Sequence, residues 1–271
     1  MSVTDRPRRF ARELEVATRL ALAAGEVVRR HAAGHVEERH KSSGEVVSAA
    51  DLECDALIRA GLAEAFPDDA ILSEETGDSA ARLGLQRVWV VDPIDGTSDF
   101  IAGGDEHAVS IGLAVDGRAA LGVVHNPKRR ELYAGAEGHG VDKDGAPARV
   151  SGANDLEVAR LVVSRKEWKR GFEPLAAALP IRPMGSIAYK LARVAAGLDD
   201  GTFYLKPRKE WDVCAGVALV LAGGGCVGLL HGGEPRFNAP DVKLPDGFIA
   251  CAPGLFAALA ARLAPYAASG S

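Results

Sequence analysis

The stretch that most constrains the fold is an apolar run that ends in two carboxylates. Residues Val88–Val91 are apolar and lead directly into Asp92 and Asp95, which stand three residues apart. Such a run is typical of a buried strand. Two acids at a strand end repel each other, and a hard divalent cation held by oxygen ligands removes that repulsion. The alternative interpretation is an ordinary polar turn, because Asp and Gly are common turn residues.

The residues between and after these acids favour a tight turn. Pro93 stiffens the backbone between them, and Gly96 allows the chain to turn sharply. The backbone N–H groups of Gly96 and Thr97 would then lie where a helix begins, a position that suits a phosphate oxygen. Taken alone, the segment leaves a metal and phosphate site and a plain turn as equal alternatives.

Further acids stand at the ends of other predicted elements. Glu74 and Glu75 follow an apolar run that ends at Leu72, Asp212 opens an apolar helix, and Asp51 stands where another helix could begin. Each has a simpler explanation, an exposed acidic loop for the glutamates and a helix N-cap for the aspartates. Their joint occurrence favours a metal site that is assembled from several parts of the chain.

The pattern of apolar residues predicts alternating helices and strands in a globular chain of 271 residues. A polar, Gly-rich segment near residues 143–151 predicts a boundary, with an N-terminal α+β half over 1–150 and a C-terminal α/β half over 151–271. The predicted helices cover about 10–31, 51–67, 187–196, 213–222 and 255–267, and the predicted strands 70–72, 87–91, 108–115, 121–124, 131–135, 161–164, 202–205, 226–230 and 248–252.

Charge and cysteine use exclude several classes of function. The formal net charge of −5 offers no basic surface for a nucleic acid polymer. Four cysteines without a CxxC pair argue against a zinc site or a disulfide framework and fit a reducing cytosol. The longest apolar stretch, residues 216–230, is too short and Gly-rich to cross a membrane, and no export signal is visible. We therefore expect a cytoplasmic protein that binds neither nucleic acid nor membrane.

Several strings, in this order, resemble the signature of the inositol monophosphatase superfamily. Glu74-Glu75, Asp92–Thr97 and Trp211–Gly216 are the most specific of them. Residues 47–51 and 185–186 look like two further elements, so that the resemblance covers about residues 46–252. It implies the layered α/β/α/β/α sandwich that inositol monophosphatases share with fructose-1,6-bisphosphatases, an α+β fold with its active site in a cleft between two halves.

The resemblance also implies a reaction and a role for individual residues. The reaction is magnesium-dependent hydrolysis of a phosphate monoester by direct attack of water, with two or three Mg²⁺ ions and no phosphoenzyme. The implied metal ligands are Glu74, Asp92, the carbonyl of Ile94, Asp95 and Asp212. Asp51 and Thr97 would orient the water, and Glu75 would assist a weaker metal site. The implied substrate contacts are Gly96, Thr97, Gly185, Ser186 and Lys190.

Departures from the inositol pattern bear on the substrate. Inositol enzymes usually carry a glutamate seven residues before the aspartate that corresponds to Asp212, and this chain has Leu205 at that position. They often have Asn at the second residue after the Asp-Gly-Thr string, where this chain has Asp99. Residues 185–190, 210–212, 82–84 and Ser73 look instead like bacterial 3′(2′),5′-bisphosphate nucleotidases. We predict adenosine 3′,5′-bisphosphate as the substrate, with inositol phosphates second and fructose 1,6-bisphosphate third.

A second substrate phosphate would need cationic partners. Candidates are Lys190, Lys206, Arg208 and Lys209, whose alternatives are a solvated helix position for Lys190 and a surface loop for the others; Trp168 is a weaker candidate for adenine contact. A different class of function, a catalytically silent protein that binds a phosphorylated metabolite, is disfavoured by the complete set of acids. Family members are often dimers, so that the resemblance allows a homodimer that no residue pattern here indicates.

Overall fold

Two helices and two short paired strands come first among the described residues. The computed structural model describes residues 9–33, 38–40, 46–76, 79–168 and 179–267. Helix α1 (Ala11–Ala32) packs against α2 (Ala49–Ala65), and strands β1 (Glu38–His40) and β2 (Val46–Ser48) pair antiparallel between them. A reciprocal capping box sets the start of α2, because the Asp51 carboxylate accepts from the Ser48 N–H at 2.8 Å and the Ser48 hydroxyl accepts from the Asp51 N–H at 3.4 Å.

A seven-stranded sheet follows, with its strands in sequence order. Its first two strands are parallel and all later neighbours are antiparallel. Both faces are buried: Trp89 and Val91 pack with α1 and α2, whereas Val88 and Val90 face the opposite side. The strands are β3 (Ala70–Ser73), β4 (Arg87–Asp95), β5 (Ala108–Val115), β6 (Arg118–Asn126), β7 (Glu131–Ala136), β8 (Gly140–Lys143) and β9 (Ala146–Ala148).

A second, five-stranded sheet is formed later in the chain, in the order β11-β10-β12-β16-β14. Strand β10 is parallel to both neighbours, and β16 is antiparallel to both of its neighbours. The strands are β10 (Leu161–Ser164), β11 (Ile181–Met184), β12 (Gly201–Tyr204), β14 (Cys226–Leu229) and β16 (Phe248–Cys251), while β13 (Arg208–Lys209) and β15 (Lys243–Leu244) pair separately. The helices are α3 (Thr97–Ile101), α4 (Arg165–Trp168), α5 (Ile187–Ala195), α6 (Glu210–Ala222) and α7 (Phe256–Ala267), with 3-10 turns at Ala80–Gly84 and Pro253–Leu255.

The two sheets are separated by a layer of two helices. One apolar cluster joins Val90 of the first sheet, residues of α5 and α6, and Phe248 of the second sheet. Leu259 and Leu263 of α7 cover the far face of the second sheet. The order α1/α2, sheet, α5/α6, sheet, α7 confirms the predicted α/β/α/β/α sandwich.

Helix α6 lies unusually close to the first sheet. A Cβ atom at Gly122 would stand 2.0 Å from the Ala215 carbonyl oxygen, so that only glycine allows this approach. The close packing matters for the site, because Asp212 lies in the first turn of α6.

Most predicted elements are found, with shifted ends. Helix α6 begins at Glu210 and not near residue 213, and β6 spans Arg118–Asn126 and not only 121–124. The prediction missed β8 and β9, because Gly-rich turns hide these short strands in the segment read as a boundary. The first sheet uses residues 70–148 and the second 161–251, while the division at residue 150 stays a prediction. Within the described ranges, no helix is long and apolar enough to span a membrane.

Candidate active site

A cavity of about 820 Å³ lies where strand ends of both sheets meet the starts of α3, α5 and α6. Glu74 follows β3 and Asp92 lies in the parallel neighbour β4, so that both acids emerge at the same edge of the first sheet. Asp212 comes from the start of α6. Five acids line the cavity. Four of them, which we call the carboxylate set, are the predicted metal ligands Glu74, Asp92, Asp95 and Asp212, and the fifth is Asp99.

An irregularity in β4 brings both of its acids into this cavity. Residues three apart in a regular strand point to opposite faces. Here Asp92 pairs with Ser110 and Asp95 with Ala108, and the register shifts between the two acids. Such a bulge redirects side chains. Pro93, which lies inside the shift, has no N–H to lose from the ladder.

After β4 the chain turns into α3, and a hydrogen bond of Thr97 connects α3 with α2. Gly96 has φ 97°, a left-handed conformation that favours glycine, and a Cβ there would lie 3.0 Å from the Glu106 carbonyl oxygen. The Thr97 hydroxyl lies 3.1 Å from an Asp51 carboxylate oxygen and 3.0 Å from the Ile94 carbonyl oxygen. Asp51 is therefore both a capping residue of α2 and a hydrogen-bond partner of Thr97, and its role in orienting a water stays a prediction.

Burial and mutual repulsion disturb the ionisation of the carboxylate set. Desolvation raises the pKa of Asp92 well above its usual range, and Glu74, Asp95 and Asp212 raise it further. The pKa of Asp212 is raised to about 8, first by burial and then by Asp95 and Glu74. Burial also raises the pKa of Asp95, against hydrogen bonds that lower it. One Asp92 oxygen is buried without a hydrogen-bond partner.

Comparison with known proteins decides the family. The Inositol monophosphatase family matches residues 11–267 of the chain. The chain belongs to the inositol monophosphatase family. Accordingly, it is a magnesium-dependent phosphatase, as the resemblance implied.

Individual relatives and solved structures support the assignment over nearly the whole chain. Inositol monophosphatase 3 of Solanum lycopersicum is 33% identical over 256 residues, covering 87% of this chain and 94% of that protein. Nus factor SuhB of Escherichia coli K12 is 33% identical over 233 residues, covering 82% and 86%. Among solved structures, the IMPase of Thermotoga maritima has a TM-score of 0.82 at 28% identity, covering 95% of this chain and 98% of that chain. SuhB of Mycobacterium tuberculosis has a TM-score of 0.75 at 31% identity, covering 96% and 98%.

The carboxylate set of this family member fits a divalent cation. A positive charge would offset the repulsion that raises these pKa values and would give the buried Asp92 oxygen a partner. As the side chains stand, no three His, Cys, Asp or Glu residues in the described ranges form a group that could hold a metal ion. A cation would therefore have to draw the carboxylates together.

The substrate-side turn is tied to this set. The Ser186 hydroxyl donates to an Asp95 oxygen at 2.7 Å and accepts from the Tyr189 N–H at 3.0 Å, so that it caps α5. The same Asp95 oxygen accepts from the Ala188 N–H. Gly185 precedes the cap and donates its N–H to Glu106 at 2.7 Å. The structure thus brings both predicted residues of the turn to the cavity and links Ser186 to a predicted metal ligand.

Lys190 is buried under this turn. Its Nζ donates to the carbonyl oxygens of Met184, Gly185 and Ser186 at 3.2, 3.2 and 2.7 Å. Desolvation lowers its pKa to about 8. The alternative of a solvated helix position is therefore wrong, since the side chain is 1% exposed. Its contact with a substrate phosphate stays a prediction, beside an observed role in holding the turn.

Asp55 is a residue of the site region that the sequence analysis missed. It is buried, and it accepts from the hydroxyls of Ser73 and Thr76, which flank Glu74 and Glu75. Its signal was its position four residues after Asp51, on the same face of α2. Glu75 lies half-buried in the loop that Asp55 holds and is not among the residues lining the cavity, and its role stays a prediction.

A second missed group joins the two sides of the cavity. Arg165 of α4 forms ion pairs with Asp99 and Glu106, and Asp99 accepts from the Glu106 N–H at 2.8 Å. Because Glu106 also accepts from Gly185, the group connects α3 with the substrate-side turn. The sequence marked Asp99 only as a departure from the inositol pattern, and no local signal marked Glu106 or Arg165.

Proposed function

We propose that the protein is a phosphomonoesterase that acts on a small bisphosphorylated metabolite, with adenosine 3′,5′-bisphosphate as the first candidate. One observation carries the proposal: the cavity that contains the carboxylate set is also lined by basic side chains. Apart from Arg165 and Lys190, whose contacts are described above, these are Lys166, Arg208, Lys209 and Lys243, which we call the basic set.

The carboxylate set would hold the catalytic metal. Glu74, Asp92, Asp95, Asp212 and the Ile94 carbonyl are oxygen ligands of the kind that Mg²⁺ prefers. When bound, two or three Mg²⁺ ions would supply charge neutralisation at the phosphoryl oxygens and a water of lowered pKa.

Residues around the metal ligands would perform the remaining steps. The hydrogen bond between Thr97 and Asp51 supports a role for this pair in orienting the attacking water. Glu75, in the neighbouring loop, would assist a weaker metal site through a water molecule. The backbone N–H groups of Gly96 and Thr97 lie where α3 begins and would bind the phosphate oxygens.

Arg208, a member of the basic set, is held by two neighbouring side chains. Its guanidinium pairs with the buried Glu167 at 2.8 Å and lies over the Tyr204 ring, 5.2 Å from the centroid. Its Nε is buried without a hydrogen-bond partner. A guanidinium held in place by its neighbours loses little entropy when it binds a second phosphate. Leu205, three residues earlier, cannot accept the hydrogen bonds that inositol hydroxyls would offer.

Other predicted contacts receive less support. Lys206 is exposed and does not line the cavity. Trp168 packs against the apolar cluster of the second sheet and is not among the lining residues, which favours a packing role over adenine stacking. A cytoplasmic location and a homodimer stay predictions.

Inositol 1-phosphate is the second candidate. It is supported by the names of two relatives from Solanum lycopersicum, inositol monophosphatases 3 and 2, which are 33% and 32% identical to this chain. Fructose 1,6-bisphosphate is the third candidate. It is kept because it also carries a second phosphate.

The test compares phosphate release from these three substrates at one magnesium concentration. We expect kcat/KM to be highest for adenosine 3′,5′-bisphosphate and activity to disappear with EDTA. A clear preference for inositol 1-phosphate would overturn the interpretation of the basic set and of Leu205. Absence of magnesium-dependent release from all three, in a protein that still binds a bisphosphate, would support a silent metabolite-binding protein instead.

A further inference from the structure

Two residues that are not predicted metal ligands, Arg82 and Glu210, take part in a buried polar cluster. Arg82 lies in the 3-10 turn Ala80–Gly84, and Glu210 is the first residue of α6. Both are buried, at 3% and 0% exposure, although Arg and Glu are rarely buried without partners. Both contact the same short segment, Asn238–Ala239, which lies between β14 and β15 in the chain.

The segment is held from two sides. The Glu210 carboxylate accepts from the backbone N–H groups of Asn238 and Ala239 at 2.7 and 2.9 Å. The Arg82 guanidinium donates to the Asn238 side-chain oxygen and to the Ala239 carbonyl oxygen, both at 2.8 Å. The Asn238 amide donates in return to the carbonyl oxygens of Arg82 and Leu85 at 3.0 and 3.2 Å. Asn238 has φ 61°, a left-handed conformation that Asn tolerates better than most residues.

This cluster lies between the segments that supply Asp212 and Glu74. On one side, Glu210 stands two residues before Asp212, whose carboxylate accepts from the Lys209 N–H at 3.1 Å. On the other side, the 3-10 turn that carries Arg82 lies beside β3, and Glu74 follows β3 directly. The cluster therefore joins the start of α6 to the neighbourhood of Glu74, through a bond between Arg82 and Asn238 that spans 156 residues of sequence.

Burying a carboxylate and a guanidinium is costly, and apolar residues of similar volume would often stabilise a fold as well. A fully satisfied polar network instead fixes one arrangement of the groups it connects. Outer-sphere groups of this kind commonly change metal affinity by 10–100-fold when they are removed.

We propose that Arg82, Asn238 and Glu210 are positioning residues of the metal site, which fix Asp212 relative to Glu74. The proposal rests on the metal ligands of the proposed function. The role that it assigns to these three residues is independent of which phosphate ester is the substrate.

The test substitutes Asn238→Gly in the full chain. Glycine accepts φ 61° without strain, so that the change removes the side-chain hydrogen bonds and leaves the backbone conformation allowed. The matched control is Arg118→Gln, which removes an exposed ion pair to Glu234 at 2.7 Å and so also cuts a link between the first sheet and this part of the chain. Binding of Mg²⁺ alone is measured by calorimetry and by thermal shift, and the magnesium dependence of kcat is measured separately.

We expect the Mg²⁺ concentration at half-saturation to rise about 10-fold in Asn238→Gly and to stay unchanged in Arg118→Gln. Substrate KM at saturating Mg²⁺ should stay within about twofold of the parent value, because Arg82, Asn238 and Glu210 do not line the cavity. If Asn238→Gly does not fold, Arg82→Lys provides the same comparison, since it keeps the charge and loses the forked geometry.

A lower melting temperature with an unchanged magnesium midpoint would overturn the proposal, because the cluster would then be purely structural. A parent protein that shows no magnesium binding would overturn the ligand assignment of the proposed function itself. The two failures are therefore distinguishable in one set of titrations.

Discussion

The carboxylate set and the basic set line one cavity but are built in different ways. Asp92 and Asp95 lie in a buried strand, at 1% and 8% exposure, and Asp212 in the first turn of a helix. Lys166 and Lys243 are exposed, on the short elements α4 and β15. The acids are thus fixed by the core, whereas most of the basic side chains are held only by surface elements.

This difference predicts which part of the site tolerates change. An acid in a buried strand cannot move without disturbing the sheet, and its charge needs a partner. A surface lysine can be replaced at little cost to the fold. We therefore expect chemistry to depend on the carboxylate set and substrate choice on the basic set, in which the buried Glu167 orients Arg208.

The strongest test of this comparison is Asp95→Asn. The change keeps the shape of the side chain and its contact with Ser186 while removing a negative charge from the metal site. We expect a loss of about 4 kcal/mol of transition-state stabilisation, roughly 1000-fold in kcat. Phosphate release at saturating magnesium measures the effect, and circular dichroism checks the fold. Magnesium-dependent activity near the parent level would contradict the assignment of the carboxylate set.

The next test removes the metal. The folded-state pKa values of Asp92, Asp95 and Asp212 are raised, that of Asp212 to about 8. A carboxylate with a raised pKa binds more protons when folded than when unfolded, so that stability falls as pH rises above its unfolded pKa. In EDTA, we therefore expect the melting temperature to fall between about pH 5 and 8.

Magnesium should reverse this trend, because the cation binds the ionised acids. At about 100 times its Kd, a bound ion adds roughly 2.7 kcal/mol, or about 5 °C or more for a chain of this size. Differential scanning calorimetry at several pH values, with EDTA or magnesium, measures both effects. Identical pH profiles with and without magnesium would show that the acids do not form the metal site.

The third test concerns the basic set. Arg208→Gln keeps a hydrogen-bond donor near Glu167 and removes the positive charge. We expect KM for adenosine 3′,5′-bisphosphate to rise about 10-fold with kcat little changed, since one charge-assisted contact contributes about 1.5–3 kcal/mol. Turnover of inositol 1-phosphate should be unaffected.

Lys206→Ala is the matched control for Arg208→Gln, because Lys206 lies two residues before Arg208, is exposed and does not line the cavity. Equal effects of the two changes on KM would mean that Arg208 acts only through the general charge of the surface. A fall in kcat for every substrate would instead place Arg208 with the catalytic groups.

The same contrast explains what could be predicted from the sequence. The carboxylate set was found because acids that follow buried strands produce local strings with fixed spacing, as at Asp92–Thr97. The five layers followed from the family resemblance, and the alternation of faces at Val88–Val91 agrees with them. Asp51 was correctly placed beside Thr97, although its local sequence indicated only a helix cap.

Contacts between distant segments could not be predicted in the same way. The pairing of Arg165 with Asp99 and Glu106 and the cluster around Asn238 join residues far apart in the chain, and no local periodicity records such pairs. Lys190 shows the same limit: its helical position suggested exposure, but the turn at Met184–Ser186 folds over it. Strands β8 and β9 were missed because their Gly-rich turns dominate the local pattern.

The smallest expected effect is at Ser186, which lies on the substrate-side turn but bonds to a member of the carboxylate set. Ser186→Ala removes the cap of α5 and one of the hydrogen bonds that orient Asp95. We expect the free energy of unfolding to fall by about 1 kcal/mol, because the helix cap is lost. The magnesium midpoint should rise only severalfold, because Asp95 keeps its hydrogen bond from the Ala188 N–H. Ser164→Ala is the control, since Ser164 lines the same cavity and its hydroxyl accepts from the Lys166 N–H, away from the carboxylate set. Urea unfolding and magnesium titration separate the two contributions. A change in stability without any change in the midpoint would assign Ser186 to the fold alone and leave Asp95 oriented by the backbone.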